Sequence, residues 1–152
     1  MNALDRCKPA TVLLIEDNED DVELTLAALE NSKMRVQIDA VNDGISAMAF
    51  LRREGEYADK PRPDLVLLDL NLPLMDGREV LKEIREDPDL TDLPVVILTT
   101  SEDNGDILRA YKLHANCYIS KPVDFERFNE IIGHIEGFWL QLVKLPRREN
   151  GS

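Results

Sequence analysis

Short apolar runs alternate along this chain with segments whose apolar residues recur at helical spacing. The runs TVLLI (Thr11 to Ile15), VQIDAV (Val36 to Val41), LVLLD (Leu65 to Asp69), VVILT (Val95 to Thr99) and NCYIS (Asn116 to Ser120) are strand-length and mostly rich in β-branched or aliphatic residues. Several are apolar almost throughout, the pattern of strands covered on both faces in a parallel sheet. Between them, Val22, Leu26 and Leu29 space one face of a first helix. Ile45, Met48, Ala49 and Leu51 mark a second, which Asp43 can cap and Gly55 can end. Val80, Leu81 and Ile84 mark a third before Pro88, and Ile107, Leu108 and Tyr111 a fourth that Asp103 or Asn104 can cap. A fifth runs from Asp124 to about Leu142.

Strand then helix, repeated five times, predicts an α/β fold: an open, doubly wound five-stranded parallel sheet with right-handed crossovers. Such sheets bind ligands outside the carboxyl ends of their strands. Asp69 ends the third run, Glu16 and Asp17 follow the first, Thr99 ends the fourth and Lys121 follows the fifth. All of them fall on one rim.

Composition narrows the function. A chain of 152 residues can bury a single core without a covalent staple. With 30 acidic against 18 basic residues and a net charge of −12, it repels nucleic acid. Cys7 and Cys117 stand far apart with no metal-ligand spacing, and neither a cleavable leader nor an apolar run of membrane-spanning length is visible. The expectation is a cytoplasmic protein with free thiols, bound neither to membrane nor to nucleic acid.

Carboxylates gathered at one rim repel each other, at about 3 kcal/mol per pair for charges about 5 Å apart and an effective dielectric near 20. Hard oxygen ligands with room for water suit Mg²⁺, and Lys121 adds a fixed positive charge. Such a site fits a phosphoryl group, with a carboxylate oxygen as nucleophile and the Thr99 hydroxyl as a hydrogen-bond donor. Taken singly, each residue has a plainer reading. An aspartate at a strand end is commonly a cap or turn residue, and Glu19, Asp20 and Asp21 are a solvated helix start of the kind that acids favour.

The pieces IEDN (Ile15 to Asn18), LLDLNLPLMDG (Leu67 to Gly77), VVILTTS (Val95 to Ser101) and YISKP (Tyr118 to Pro122) resemble the receiver domain of two-component response regulators. The resemblance implies a flavodoxin-like strand order, 2-1-3-4-5. It makes Asp69 the phosphoacceptor and gives Mg²⁺ to Asp17, Asp69 and the backbone carbonyl of Asn71, with Glu16 supporting the metal through water. Thr99 becomes the switch hydroxyl, Lys121 the phosphate-pairing lysine and Tyr118 the aromatic that follows the switch. Pro122 matches a proline preceded by a cis peptide bond. The segments around GEY (Gly55 to Tyr57) and GFWLQLVKLP (Gly137 to Pro146) are similar, more narrowly, to the cyanobacterial phytochrome response regulators, which are free-standing receivers. A receiver domain with an extended last helix is thus expected over 9–145, with loose termini at 1–8 and 146–152. Leu74, Met75 and Thr100 depart from the common receiver pattern, being larger or more apolar beside the phosphate.

The implied function is that of a phosphoprotein in a two-component phosphorelay, not an enzyme beyond its own phosphoryl transfer and dephosphorylation. It takes its phosphoryl group from a sensor histidine kinase, of phytochrome type if the narrower resemblance extends to the partner, and signals to a downstream protein by contact. The alternative is an aspartyl-phosphate metal-dependent phosphohydrolase. Those enzymes usually carry a second carboxylate two residues after the nucleophile, where this chain has Asn71, and a cap domain for which it has no room. Beyond the stripe that ends at Phe138, residues Trp139, Leu140, Leu142, Val143 and Leu145 continue the apolar pattern. That surface predicts a homodimer, with Trp139, Phe138 and Leu142 at the interface.

Overall fold

The computed structural model describes residues 10–30, 36–99, 112, 114–115 and 117–120. Its strands are β1 (Ala10–Ile15), β2 (Val36–Val41), β3 (Leu65–Leu68), β4 (Val95–Thr99) and β5 (Cys117–Ser120). All neighbours are parallel, in the order β2-β1-β3-β4-β5. The described helices are α1 (Glu19–Glu30), α2 (Gly44–Leu51) and α3 (Gly77–Glu86). The fold class and strand order expected from the sequence are therefore present. The expected fourth helix up to Tyr111, the fifth helix, and both termini lie outside the described residues.

Consecutive burial explains why the strands read as unbroken apolar runs. Val12 to Ile15, Leu65 to Leu68 and Val95 to Leu98 are buried without alternation, so both pleat faces of the central strands lie in the core. The third run closes one residue earlier than its composition suggests, at Leu68. Asp69 stands just past it, its N–H donating to the carbonyl of Ile15 at 3.0 Å.

Helix α2 corrects two expectations. Asp43 caps it as predicted, accepting from the Ser46 N–H at 2.6 Å. Ile45, however, is not on the core face but 56% exposed. The buried residues are Gly44, Ala47, Met48, Phe50 and Leu51, four of them the i, i+3, i+4, i+7 set that starts at Gly44, because the helix start is pressed against Met75 through Gly44. The helix also ends before Gly55. Arg53 takes the left-handed conformation at φ 57°, its N–H reaching the Phe50 carbonyl and the Glu54 N–H the Ala49 carbonyl. This is a Schellman cap with arginine where glycine is usual, and Gly55 instead opens the short 3₁₀ turn Gly55–Tyr57. In α1, Val22 and Leu26 are half-buried and Thr25 is buried, its hydroxyl satisfied by the Asp21 carbonyl at 2.8 Å.

Arg85 ties the far side of the molecule together. From α3 it donates to the carbonyls of His114 (2.7 and 3.0 Å), Leu93 (2.7 Å) and Thr91 (3.0 Å). It thereby fixes the chain just before β4 and just before β5. Desolvation by burial lowers its pKa from the ordinary value, and the charge of Asp92 opposes that shift. Replacing Arg85 by methionine keeps the aliphatic stem and deletes every one of these bonds. The expected loss is about 2–3 kcal/mol of unfolding free energy, read as a lower urea midpoint. An unchanged midpoint would show that the clamp is dispensable.

Candidate functional site

Parallel pairing of β1 with β3 sets Ile15 level with Leu68, so the carboxyl ends of both strands lie side by side, and each is followed by an acid. Glu16 extends the β1 ladder, its N–H donating to the Val41 carbonyl at 3.0 Å, and is only 3% exposed. Its carboxylate accepts the Asn18 N–H at 3.2 Å. Asn18 in turn caps α1, accepting the Asp21 N–H at 3.0 Å, while Glu19, Asp20 and Asp21 fill the first turn as the solvated helix start expected of them. Asp17, between these anchored neighbours, is exposed.

Asp69 is 6% exposed, and its Oδ1 accepts the Asn71 N–H at 3.0 Å, an Asx turn that orients the carboxylate. Glu16, Asp17 and Asp69 each bring a carboxylate oxygen within 4.8 Å of the others. For the buried pair Glu16 and Asp69 this spacing costs about 3 kcal/mol when both are ionised and nothing balances them. For exposed Asp17 solvent and salt reduce it. The donor set is all oxygen, the kind of ligand a hard divalent cation takes.

The loop from Asp69 to Gly77 is held against the rim by close backbone packing. The Gly77 N–H donates to the Leu70 carbonyl at 3.0 Å, and a Cβ on Gly77 would overlap the carbonyl oxygen of Asp69. A Cβ on Gly44 would likewise overlap the main chain of Met75. Asp76 then opens α3 through a capping box with Glu79. The spacing of Asp76 and Glu79 is the sequence signature of that box, whereas the close approach at Gly77 exists only in the folded chain.

Thr99 and Tyr118 are placed by their backbones. Leu68 is level with Ile97, so Thr99 falls at the same carboxyl rim as Asp69; Thr99 pairs with Ser120 and Ile97 with Tyr118. Lys121, Pro122, Phe138, Trp139 and Leu142 lie outside the described residues, as does Thr100. Among the described residues no helix is long and apolar enough to cross a membrane.

Residues 12–133 match the family model described as the response regulator receiver domain. Response regulator Rcp1 of Synechocystis sp. is 46% identical over 138 residues, spanning 91% of this chain and 94% of that protein. Among solved structures, the phosphorylated cyanobacterial phytochrome response regulator RcpA is similar at 50% identity and a TM-score of 0.82, covering 88% of this chain and 95% of its own. The Mn²⁺-bound form of Rcp1 is similar at 46% identity and a TM-score of 0.80, covering 87% and 95%.

The packing at Gly77 yields a direct prediction. Gly77→Ala forces the Asp69 carbonyl and Leu70 to move, at about 2–3 kcal/mol of unfolding free energy measured by urea denaturation. A cost below about 0.5 kcal/mol would mean that the loop gives way freely.

Proposed function

Because the chain belongs to the response regulator receiver family, we infer that it is a phosphoacceptor signalling protein in which Asp69 takes a phosphoryl group from a phosphohistidine of a sensor histidine kinase. The observation that carries this reading is the convergence of Glu16, Asp17 and Asp69 at the carboxyl rim of the parallel sheet.

In the proposed step an Asp69 carboxylate oxygen attacks phosphorus in line with the P–N bond to the donor imidazole. That bond breaks, its electron pair returns to the histidine nitrogen, and an acyl phosphate remains on Asp69. The Asn71 amide holds the carboxylate in place while this happens. Water later attacks phosphorus, the bond to the Asp69 oxygen breaks, inorganic phosphate leaves and the carboxylate is restored. Asp17, Asp69 and the Asn71 carbonyl would hold Mg²⁺, with Glu16 acting through water; the Mn²⁺-bound Rcp1 structure supports a divalent ion of this class. A bound ion supplies the positive charge that offsets carboxylate repulsion and neutralises the phosphoryl oxygens. Lys121 would pair with a phosphoryl oxygen, Thr99 would donate its hydroxyl to another, and Tyr118 would follow that movement.

We extend the reading to a cytoplasmic receiver over 9–145. It would work with a phytochrome-type kinase, signal to a downstream protein by contact, and form a homodimer through the segment with Phe138, Trp139 and Leu142. The apolar continuation of the sequence and the likeness to RcpA support these extensions. A phosphohydrolase is not favoured: the position two residues after Asp69 is Asn71, which offers no acid/base group.

Substitution tests the site. Asp69→Asn abolishes acid-labile phosphate after incubation with an autophosphorylated kinase or with acetyl phosphate. In the same assay series, Mg²⁺ at 100 times its dissociation constant stabilises the wild type by about 2.7 kcal/mol, and Asp17→Ala loses most of that gain. Label retained on Asp69→Asn, or an equal Mg²⁺ effect in Asp17→Ala, would contradict the assignment.

A further inference from the structure

The loop after Asp69 carries a leucine in a conformation that leucine disfavours. Leu74 has φ 68° and is 80% exposed. It is the central residue of a three-residue turn closed by the Met75 N–H on the Pro73 carbonyl at 2.8 Å, the positive-φ form of that turn, which is strained. Glycine would remove the strain, and a polar side chain would remove the cost of exposing apolar surface. The fold gains nothing from leucine here by either measure, which points to a contact made outside the chain.

A second exposed apolar side chain follows a residue packed on the same turn. Ile45, 56% exposed, follows Gly44, whose backbone is packed on Met75 and whose N–H reaches the Pro73 carbonyl at 3.4 Å. Leu74 and Ile45 are the large hydrophobic residues that stand exposed among the described residues, and both sit on the rim that holds Asp69. Their border is acidic: Asp17 is exposed on that rim, Asp43 lies two residues before Ile45, and Asp76 lies two residues after Leu74, paired with Arg78 at 3.1 Å. A second copy of a chain with net charge −12 would bring the same acids against these. A basic partner with an apolar ridge complements them.

We propose that Leu74 and Ile45 form the apolar seat for the histidine-bearing helix of the phosphoryl donor, with Lys or Arg side chains of that helix facing Asp17 and Asp43. The proposal rests on Asp69 being the phosphoacceptor, because a donor helix must then lie over this rim to bring its phosphohistidine within bonding distance. An apolar residue three or four positions from that histidine shares its helix face and reaches the seat. Small phosphodonors make no such contact.

The test compares two donors on the same variants. A panel of autophosphorylated kinase modules from cyanobacterial phytochromes is run against the wild type, and the fastest is used throughout alongside acetyl phosphate. Leu74→Gly and Ile45→Ala should each lower kcat/KM for kinase transfer by about ten-fold, the effect of removing an anchor worth about 1.4 kcal/mol. Labelling by acetyl phosphate should stay within about two-fold of wild type. Leu74→Gly should also melt no earlier than wild type, since it relieves the turn. Unchanged kinase transfer would overturn the proposal, as would equal losses with both donors. So would a wild-type dimer that Leu74→Gly dissociates in sedimentation, which would identify a second copy as the occupant. If acetyl phosphate fails to label Asp69 in the wild type, the phosphoacceptor reading fails and the seat with it.

Discussion

Mutual repulsion among Glu16, Asp17 and Asp69 is the constraint around which this molecule is organised. Two of the three are buried, and their oxygens lie within 4.8 Å of one another. A chain left to itself would separate them or protonate them. Two of the three are held where they are by a backbone amide of their own loop, Glu16 by Asn18 and Asp69 by Asn71. In the proposed reaction a cation offsets the repulsion among them, and the phosphoryl oxygens share that cation.

Holding three acids together requires a rigid floor. The central strands provide it, since Leu13, Ile15, Val66, Leu68, Val95 and Ile97 belong to one buried cluster with α2 and α3. The loop above is locked from two sides, by Gly77 against Asp69 and by Gly44 against Met75. Pro73 receives both the Gly44 and the Met75 amides on its carbonyl, which leaves Leu74 the one conformation seen, with its side chain in solvent. Site rigidity and the exposed leucine therefore have the same origin: the backbone is fixed for the benefit of Asp69, and Leu74 is where the turn presents its surface.

The parts legible in the sequence were those that depend on local pattern. Unbroken aliphatic runs announced buried parallel strands, and acids placed just after the first and third of them announced the rim. The Asp43 cap needed only the residue type and the apolar spacing that follows it. What escaped depended on contacts distant in sequence. Ile45 looked like a core residue because nothing local shows that Gly44 packs on Met75, and that contact decides which stripe of α2 is turned inward. Gly55 looked like the end of α2, but Arg53 took the left-handed position two residues earlier. Arg85 carries no local signal, because its carbonyl partners at Leu93 and His114 become neighbours only once β4 and β5 are side by side.

The central claim is that the three carboxylates form one cation site beneath the phosphoacceptor, and paramagnetic relaxation by Mn²⁺ tests it most directly. Backbone amide resonances of the uniformly labelled protein are recorded as Mn²⁺ is added at well below one equivalent. Selective broadening of Asp17, Asn18, Asp69, Leu70 and Asn71, with the amides of Arg85 and Leu93 on the opposite side left sharp, is the predicted result. Broadening centred instead on Glu19, Asp20 and Asp21, or spread evenly over the acidic surface, would contradict it.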